Sequence, residues 1–231
     1  MCFSASASFI AAGGLILGGR AIQKYRVVHG NQQLLAAIPF VFGAHQFSEG
    51  VVWLGVYGTV SPFLQTIAAY FYSFVAFVFW PIYIPLAISF FDRPKTSLCL
   101  SALTLTGFIV GTYYFWCLTF YAPLRLEVIC QFNKCGSLAY AFQLPFFDSA
   151  INYAYALVTI FPFFITANQK LKGLVGPVIL LSFAIGVYLS NAPEVPSVWC
   201  FFASIASLFI FLTFKAKNAM EITTPPDGIT S

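Results

Sequence analysis

"LQTIAAYFYSFVAFVFWPIYIPLAISFF", residues 64–91, runs for 28 residues without a charged side chain. An α-helix needs about 20 apolar residues to cross roughly 30 Å of hydrocarbon, so this stretch reads as a membrane span with length to spare. Pro81 and Pro85 lie inside it, and each removes a backbone donor and crowds the carbonyl four residues earlier. The expectation is one bent span and not two, because neighbouring helices can take up the freed carbonyls.

The rest of the chain repeats this pattern. Of 231 residues, 60% are hydrophobic, 19% aromatic and only 8% charged, whereas a soluble domain carries about 25% charge. Apolar blocks at 4–19, 34–57, 64–91, 98–121, 145–167, 174–192 and 198–214 predict an all-α polytopic membrane protein, a bundle of seven transmembrane helices filling residues 1–215. The runs are continuous and do not alternate, which excludes a β-barrel. The first block, "SASASFIAAGGLILGG", is weakly hydrophobic, but its small residues suit close helix packing. No positive charge precedes it, so it reads as a span and not as a signal peptide.

Lysine and arginine prefer the cytoplasmic ends of short connections. Arg20, Lys24, Arg26, Arg93, Lys95, Lys170, Lys172, Lys215 and Lys217 fall on one side, and Arg125 and Lys134 on the other. The nine-to-two split predicts an outer N-terminus and a cytoplasmic C-terminus. The net charge of +4 is then mainly a topology signal, and with no arginine cluster or interleaved aromatics it does not indicate nucleic acid. Residues 216–231 are polar and proline-containing, which predicts a disordered cytoplasmic tail.

Cys99 and Cys117 in the fourth block read as small buried hydrophobes. Cys130 and Cys135 of "CQFNKC" lie in the longest outer connection, about 122–144, where a disulfide and free thiols are both open readings. No histidine or second cysteine pair accompanies them, so no metal site is expected there. The "GSLAYAFQLP" stretch of the same connection, residues 136–145, suggests a short helix lying at the interface.

"FGAHQFSEGVVW", residues 42–53, then raises the functional question, because it places His45 and Glu49 one helical turn apart within the second span, with Trp53 below them on the same face. Ionisable groups at that depth cost several kcal/mol, so they pair, face the bundle interior or line a wet cavity. The bland reading is a His45–Glu49 clamp. The functional reading draws in groups expected at the same level: Asp148 and Asn152 of the fifth span, Cys200 and Trp199 of the seventh, and the tyrosines at 70, 72, 113, 114 and 188. An outward-facing polar pocket between the helices is the resulting expectation.

Four motifs, "MCFSASASF", "HQFSEGVVWLG", "FWPIYIPLA" and "SVWCFFASIASL", occur in order along nearly the whole chain. They resemble a bacterial family of multi-spanning membrane proteins that open on MCFSA, a family without an assigned activity. The resemblance implies residence in the bacterial inner membrane. It also implies that Gln46, Glu49, Gly50 and Trp53 belong to the family pattern, and that His45, where the pattern carries glutamine, is a local variation.

Familiar seven-helix functions fit poorly. A retinal protein needs a lysine within its last span, and Lys215 and Lys217 lie at its end. Ceramidase-like zinc hydrolases need three histidines and haem needs two axial ones; the chain has only His29 and His45. The two-repeat sugar transporters need alike second and sixth spans, and only the second carries an acidic motif. Removal of Met1 would expose Cys2 as an N-terminal nucleophile, a minor option. Two expectations remain. One is a protein that binds or transports a small polar solute, cation or proton at Glu49, with His45, Asp148, Gln46, Asn152 and Cys200 around it. The other is a membrane enzyme that uses the same carboxylates on a lipid or lipid-linked substrate. No cofactor follows from the sequence, and the partners it implies are the lipid bilayer and such a solute, ion or lipid.

Overall fold

The computed structural model describes residues 4–92, 98–121, 123–131, 134–189 and 195–216. Among them the chain forms seven helical rods: α1 (Ala5–Tyr25), α2 (Gln33–Val56), α3 (Pro62–Phe91), α4 (Leu98–Tyr121), α5 (Asp148–Ile165), α6 (Leu171–Tyr188) and α7 (Val195–Ser207), whose helix continues as a 3₁₀ segment, Leu208–Thr213. Two small antiparallel ladders join them: β1 (Arg26–Val27) with β4 (Lys215–Ala216), and β2 (Arg125–Gln131) with β3 (Lys134–Ala141). The expected tail beyond Ala216, which pairs with Arg26 in β4, and the residues Cys2, Arg93 and Lys95 lie outside the described residues.

Five of the rods, α1, α3, α4, α5 and α6, are long and apolar enough to cross a membrane. α2 has 24 residues and is long enough, but His45, Gln46, Ser48 and Glu49 lower its hydropathy. The outer faces of the rods display Ile10, Leu17, Phe63, Leu105, Phe108 and Leu181, far more apolar surface than water tolerates. The buried faces meet in two apolar clusters, one nearer each end of the bundle.

α3 shows how a proline is accommodated inside a long apolar helix. Phe74–Phe79 is wound as a π-helix, and the Trp80 N–H bonds the Val75 carbonyl five residues back. The next such rung would join residue 81 to Ala76, and Pro81 has no N–H to give. The Tyr155 hydroxyl of α5 donates to that Ala76 carbonyl instead, at 2.6 Å. A further hydroxyl-to-carbonyl bond ties α3 to the start of α2: the Tyr83 hydroxyl donates to the Leu34 carbonyl at 2.9 Å.

Packing of α4 on α3 depends on Gly107 and Gly111, four residues apart on one face of α4. A Cβ at Gly107 would fall on the Pro81 carbonyl oxygen, and one at Gly111 would lie 2.8 Å from the Val78 oxygen. The two backbones therefore touch, as small residues four apart allow in membrane helices.

One expectation is corrected here, and two helices differ in extent from the apolar blocks. The first rod does not stop at residue 19 but continues to Tyr25, so Arg20 and Lys24 lie on the helix; Ser4 caps its start by accepting from the Ala7 N–H. The stretch 136–145 is not a helix, because Leu138, Ala139 and Tyr140 belong to β3 and pair with Val128, Glu127 and Leu126 of β2. The reason is burial: the hairpin presses Leu138, Ala139 and Tyr140 onto the end of the bundle, and a strand meets its backbone hydrogen-bond needs there through its partner strand. The seventh helix ends tightly wound, and Lys215 is drawn into β4 opposite Val27. In the hairpin register Cys130 stands opposite Cys135; their side chains lie outside the described positions.

The other end of the bundle is closed by Asp92, at the end of α3. Its carboxylate accepts from the Thr166 hydroxyl and from the Ala167 N–H, both at 2.9 Å, and is almost fully buried. Asp92→Ala leaves both donors without an acceptor and is expected to cost about 2–3 kcal/mol, the scale of hydrogen bonds to a charged group. A thermal melt of the purified variant in detergent checks this; an unchanged midpoint would mean that water replaces the carboxylate.

Candidate functional site

One face of α2 points into the bundle along Phe42, His45, Glu49 and Trp53, spaced three or four residues apart. The opposite face is shaved by Gly43 and Gly50 so that α1 can approach: a Cβ on Gly43 would meet Ile16 and Ala12, and one on Gly50 would meet Phe9. His45, Gln46 and Glu49 are each 0% exposed. They sit in the part of α2 nearer the β2–β3 hairpin.

Aromatic rings build the walls. The His45 imidazole stacks on Tyr72 of α3 with ring centroids 4.0 Å apart, and Tyr72 stacks in turn on Tyr140 of β3 at 4.2 Å. Phe42 lies 6.3 Å from His45 on the other side and stacks on Trp80 at 4.1 Å. The Cys200 thiol of α7 faces the Tyr72 hydroxyl and lies near Glu49. The buried group is thus assembled from four elements, with Tyr140 as its roof.

Hydrogen bonding sets this group apart. Neither ring nitrogen of His45 makes a well-formed hydrogen bond, the Tyr72 main chain offering only a weak one, and both polar atoms of the Gln46 amide lack a partner. The indole N–H groups of Trp53, Trp80 and Trp199 are likewise buried without an acceptor. Each such atom costs about 1–3 kcal/mol of desolvation that nothing in the protein repays. Since neither ring nitrogen makes a well-formed hydrogen bond, His45 does not form the clamp with Glu49 that the bland reading required. Ser48, by contrast, is satisfied and donates to the His45 carbonyl at 2.7 Å.

Asp148 and Asn152 take another place. Asp148 opens α5 on the exposed surface and accepts from the Asn152 amide at 2.7 Å, while the Tyr114 hydroxyl donates to the Asn152 side-chain oxygen at 2.6 Å. They form a chain from α4 to the surface and are not drawn into the buried group. Tyr113 bonds the Phe146 main chain, Tyr70 accepts from the Leu124 N–H, and Tyr188 projects outward. Of the residues expected around Glu49, the structure brings together His45, Gln46, Cys200 and Tyr72.

Tyr140 and Trp80 were not foreseen as site residues. Tyr140 comes from a strand that no span pattern reveals. Trp80 stands beside Pro81, and the π segment before it, which only the proline pair hints at, sets its position. No group of three or more His, Cys, Asp or Glu side chains arranged to hold a metal is found among the described residues.

Comparison with known proteins adds one result. A family profile matches residues 1–224, almost the whole chain. The chain belongs to the family of unknown function DUF6629. The His45–Glu49 helix and the strand carrying Tyr140 both fall within the region matched to DUF6629. No curated protein and no solved structure matches the chain.

Proposed function

We propose that this DUF6629 protein is an integral membrane protein of the bacterial inner membrane, crossing it seven times with its N-terminus outside. It binds or transports a small polar solute, cation or proton at an intramembrane site centred on Glu49. The observation that carries this reading is the set of four polar atoms on His45 and Gln46, fully buried and without well-formed hydrogen bonds, within one turn of Glu49. A bundle selected only for stability replaces such groups with apolar ones, whereas a binding site keeps them. Imidazole offers one donor and one acceptor, and the amide two donors and an acceptor. Beside a carboxylate, that set suits a small polar guest or an exchangeable proton.

The site supplies its own reporter, because three of the four tryptophans, Trp53, Trp80 and Trp199, surround it and the fourth, Trp116, lies outside. In nanodiscs, the protein carrying Trp116→Phe is expected to show a saturable fluorescence change with pH, with a monovalent cation or with one of a panel of small polar solutes. Glu49→Gln abolishes that change and keeps the melting midpoint. A response that survives Glu49→Gln, or no response across the whole panel, would remove Glu49 from the function.

The competing reading, an enzyme acting on a lipid, draws support from the apolar wall next to Cys200, formed by Phe42, Trp80, Ile84, Phe163 and Ile179. It requires that a lipid held by the purified protein be chemically converted on incubation, which mass spectrometry detects.

A further inference from the structure

Where α1 gives way to α2, at the end of the bundle that carries Asp92, Lys170 and Lys215, Gln23, Arg26, Val27 and Gln33 line an open pocket of about 510 Å³. That volume falls within the range of about 300–1,000 Å³ usual for small-ligand sites. Among the described residues that line it, Arg26 alone is charged. We infer that this pocket binds a phosphate group through Arg26, the phosphate being carried on a lipid headgroup or free in solution. The site stands at the start of α2, away from Glu49, and does not depend on the reading given to that residue.

The fold fixes this arginine in advance. α1 ends at Tyr25, and Arg26 turns to extended backbone, donates its N–H to the Ile22 carbonyl and pairs with Ala216 in the β1–β4 ladder. Its guanidinium lies over the Phe211 ring, 3.9 Å from the centroid. Such stacking occupies a face of the planar group and leaves the N–H donors along its edge. Those donors are unspent: Nε is buried without a partner, and no described residue accepts a hydrogen bond from the guanidinium.

Phosphate is the anion that fits best. Its oxygens match the fork of arginine donors in pairs. The further oxygens, which a carboxylate lacks, have more to meet here. Gln33, exposed at the start of α2, offers an amide donor. Lys215 stands opposite Val27 in the ladder, and Lys170 donates to the Leu212 carbonyl beside Phe211. The one acidic side chain described at this end, Asp92, is spent on Thr166 and Ala167. Membrane topology by itself accounts for cations at this end. It asks only that charge be present, and does not ask that an arginine be stacked, buried at Nε and set in a pocket without a carboxylate.

The test is native mass spectrometry of the full chain released from detergent, titrated with phosphatidylglycerol and with diacylglycerol of the same acyl chains, which lacks the phosphate. A second arm is calorimetry with sodium phosphate against sodium chloride of equal ionic strength. Preference for phosphatidylglycerol supports the site with a lipid as the source; binding of inorganic phosphate supports it with a solute as the source. In either arm Arg26→Gln is expected to weaken binding by about tenfold or more, the effect of losing a hydrogen bond to a charged group. Lys172→Gln, at an exposed cation of the same end that does not line the pocket, leaves the affinity at the wild-type value. If Arg26→Gln does not fold, Gln33→Trp, which fills the pocket and leaves every charge in place, gives the reading through the same loss. Failure of both arms, unchanged affinity in a folded Arg26→Gln or Gln33→Trp variant, or an equal loss in Lys172→Gln would overturn the site.

Discussion

Gly107→Ala is expected to destabilise the bundle by about 3 kcal/mol, the upper end of what overpacking costs. The added methyl would land on the Pro81 carbonyl oxygen, and a main-chain atom cannot swing away as a flexible side chain can. α4 would have to lift off α3 along the length of their contact, taking with it the Gly111 approach to Val78. Gly13→Ala is the matched control: nothing lies within 4 Å of its Cβ position in α1, so the better helix propensity of alanine should stabilise by about 0.5–1 kcal/mol. Unfolding in mixed detergent micelles measures both. Equal small effects at the two positions would show that the helices do not touch at Gly107.

The second large effect has the opposite sign. His45→Phe is expected to raise stability by about 1–3 kcal/mol, because it removes two buried nitrogens that lack well-formed hydrogen bonds. The ring position and the stack on Tyr72, with centroids 4.0 Å apart, carry over to phenylalanine. A stability gain on deleting a polar core group marks one retained for something other than folding. A loss of similar size in the same melt would instead identify His45 as a structural clamp and weaken the case for a site.

The helical class, the number of rods and the apolar length of most of them were legible in the sequence because each depends on local content. A run such as 64–91 has too few polar groups to be stable in water and needs no partner to declare itself. The prominence of His45 and Glu49 was legible for the same reason, since they interrupt an apolar run. Contacts between distant segments were legible only in part: Tyr72 and Cys200 do join His45 and Glu49, but Asp148 does not. Asp148 and Glu49 were expected at one depth, which is a statement about height along the bundle; azimuth decides contact, and α5 turns Asp148 to the surface, where it accepts from Asn152. The hairpin was misread because strand alternation in a short connection is weak beside the helical pattern that surrounds it, while Tyr140 and Leu138 are buried only through contact with the bundle.

By itself, then, the sequence determined the apolar character of its helical rods, where most of them run and the single polar turn that interrupts α2, because those follow from the free energy of transferring each segment out of water. The tertiary structure alone decided that Tyr140 roofs the site, that Tyr155 repairs the break at Pro81 and that Cys200 and the two unpaired indoles of Trp80 and Trp199 share one cavity. Those are contacts between residues about 70 or more positions apart in the chain, and close packing selects them through shape and hydrogen-bond satisfaction that no local pattern encodes.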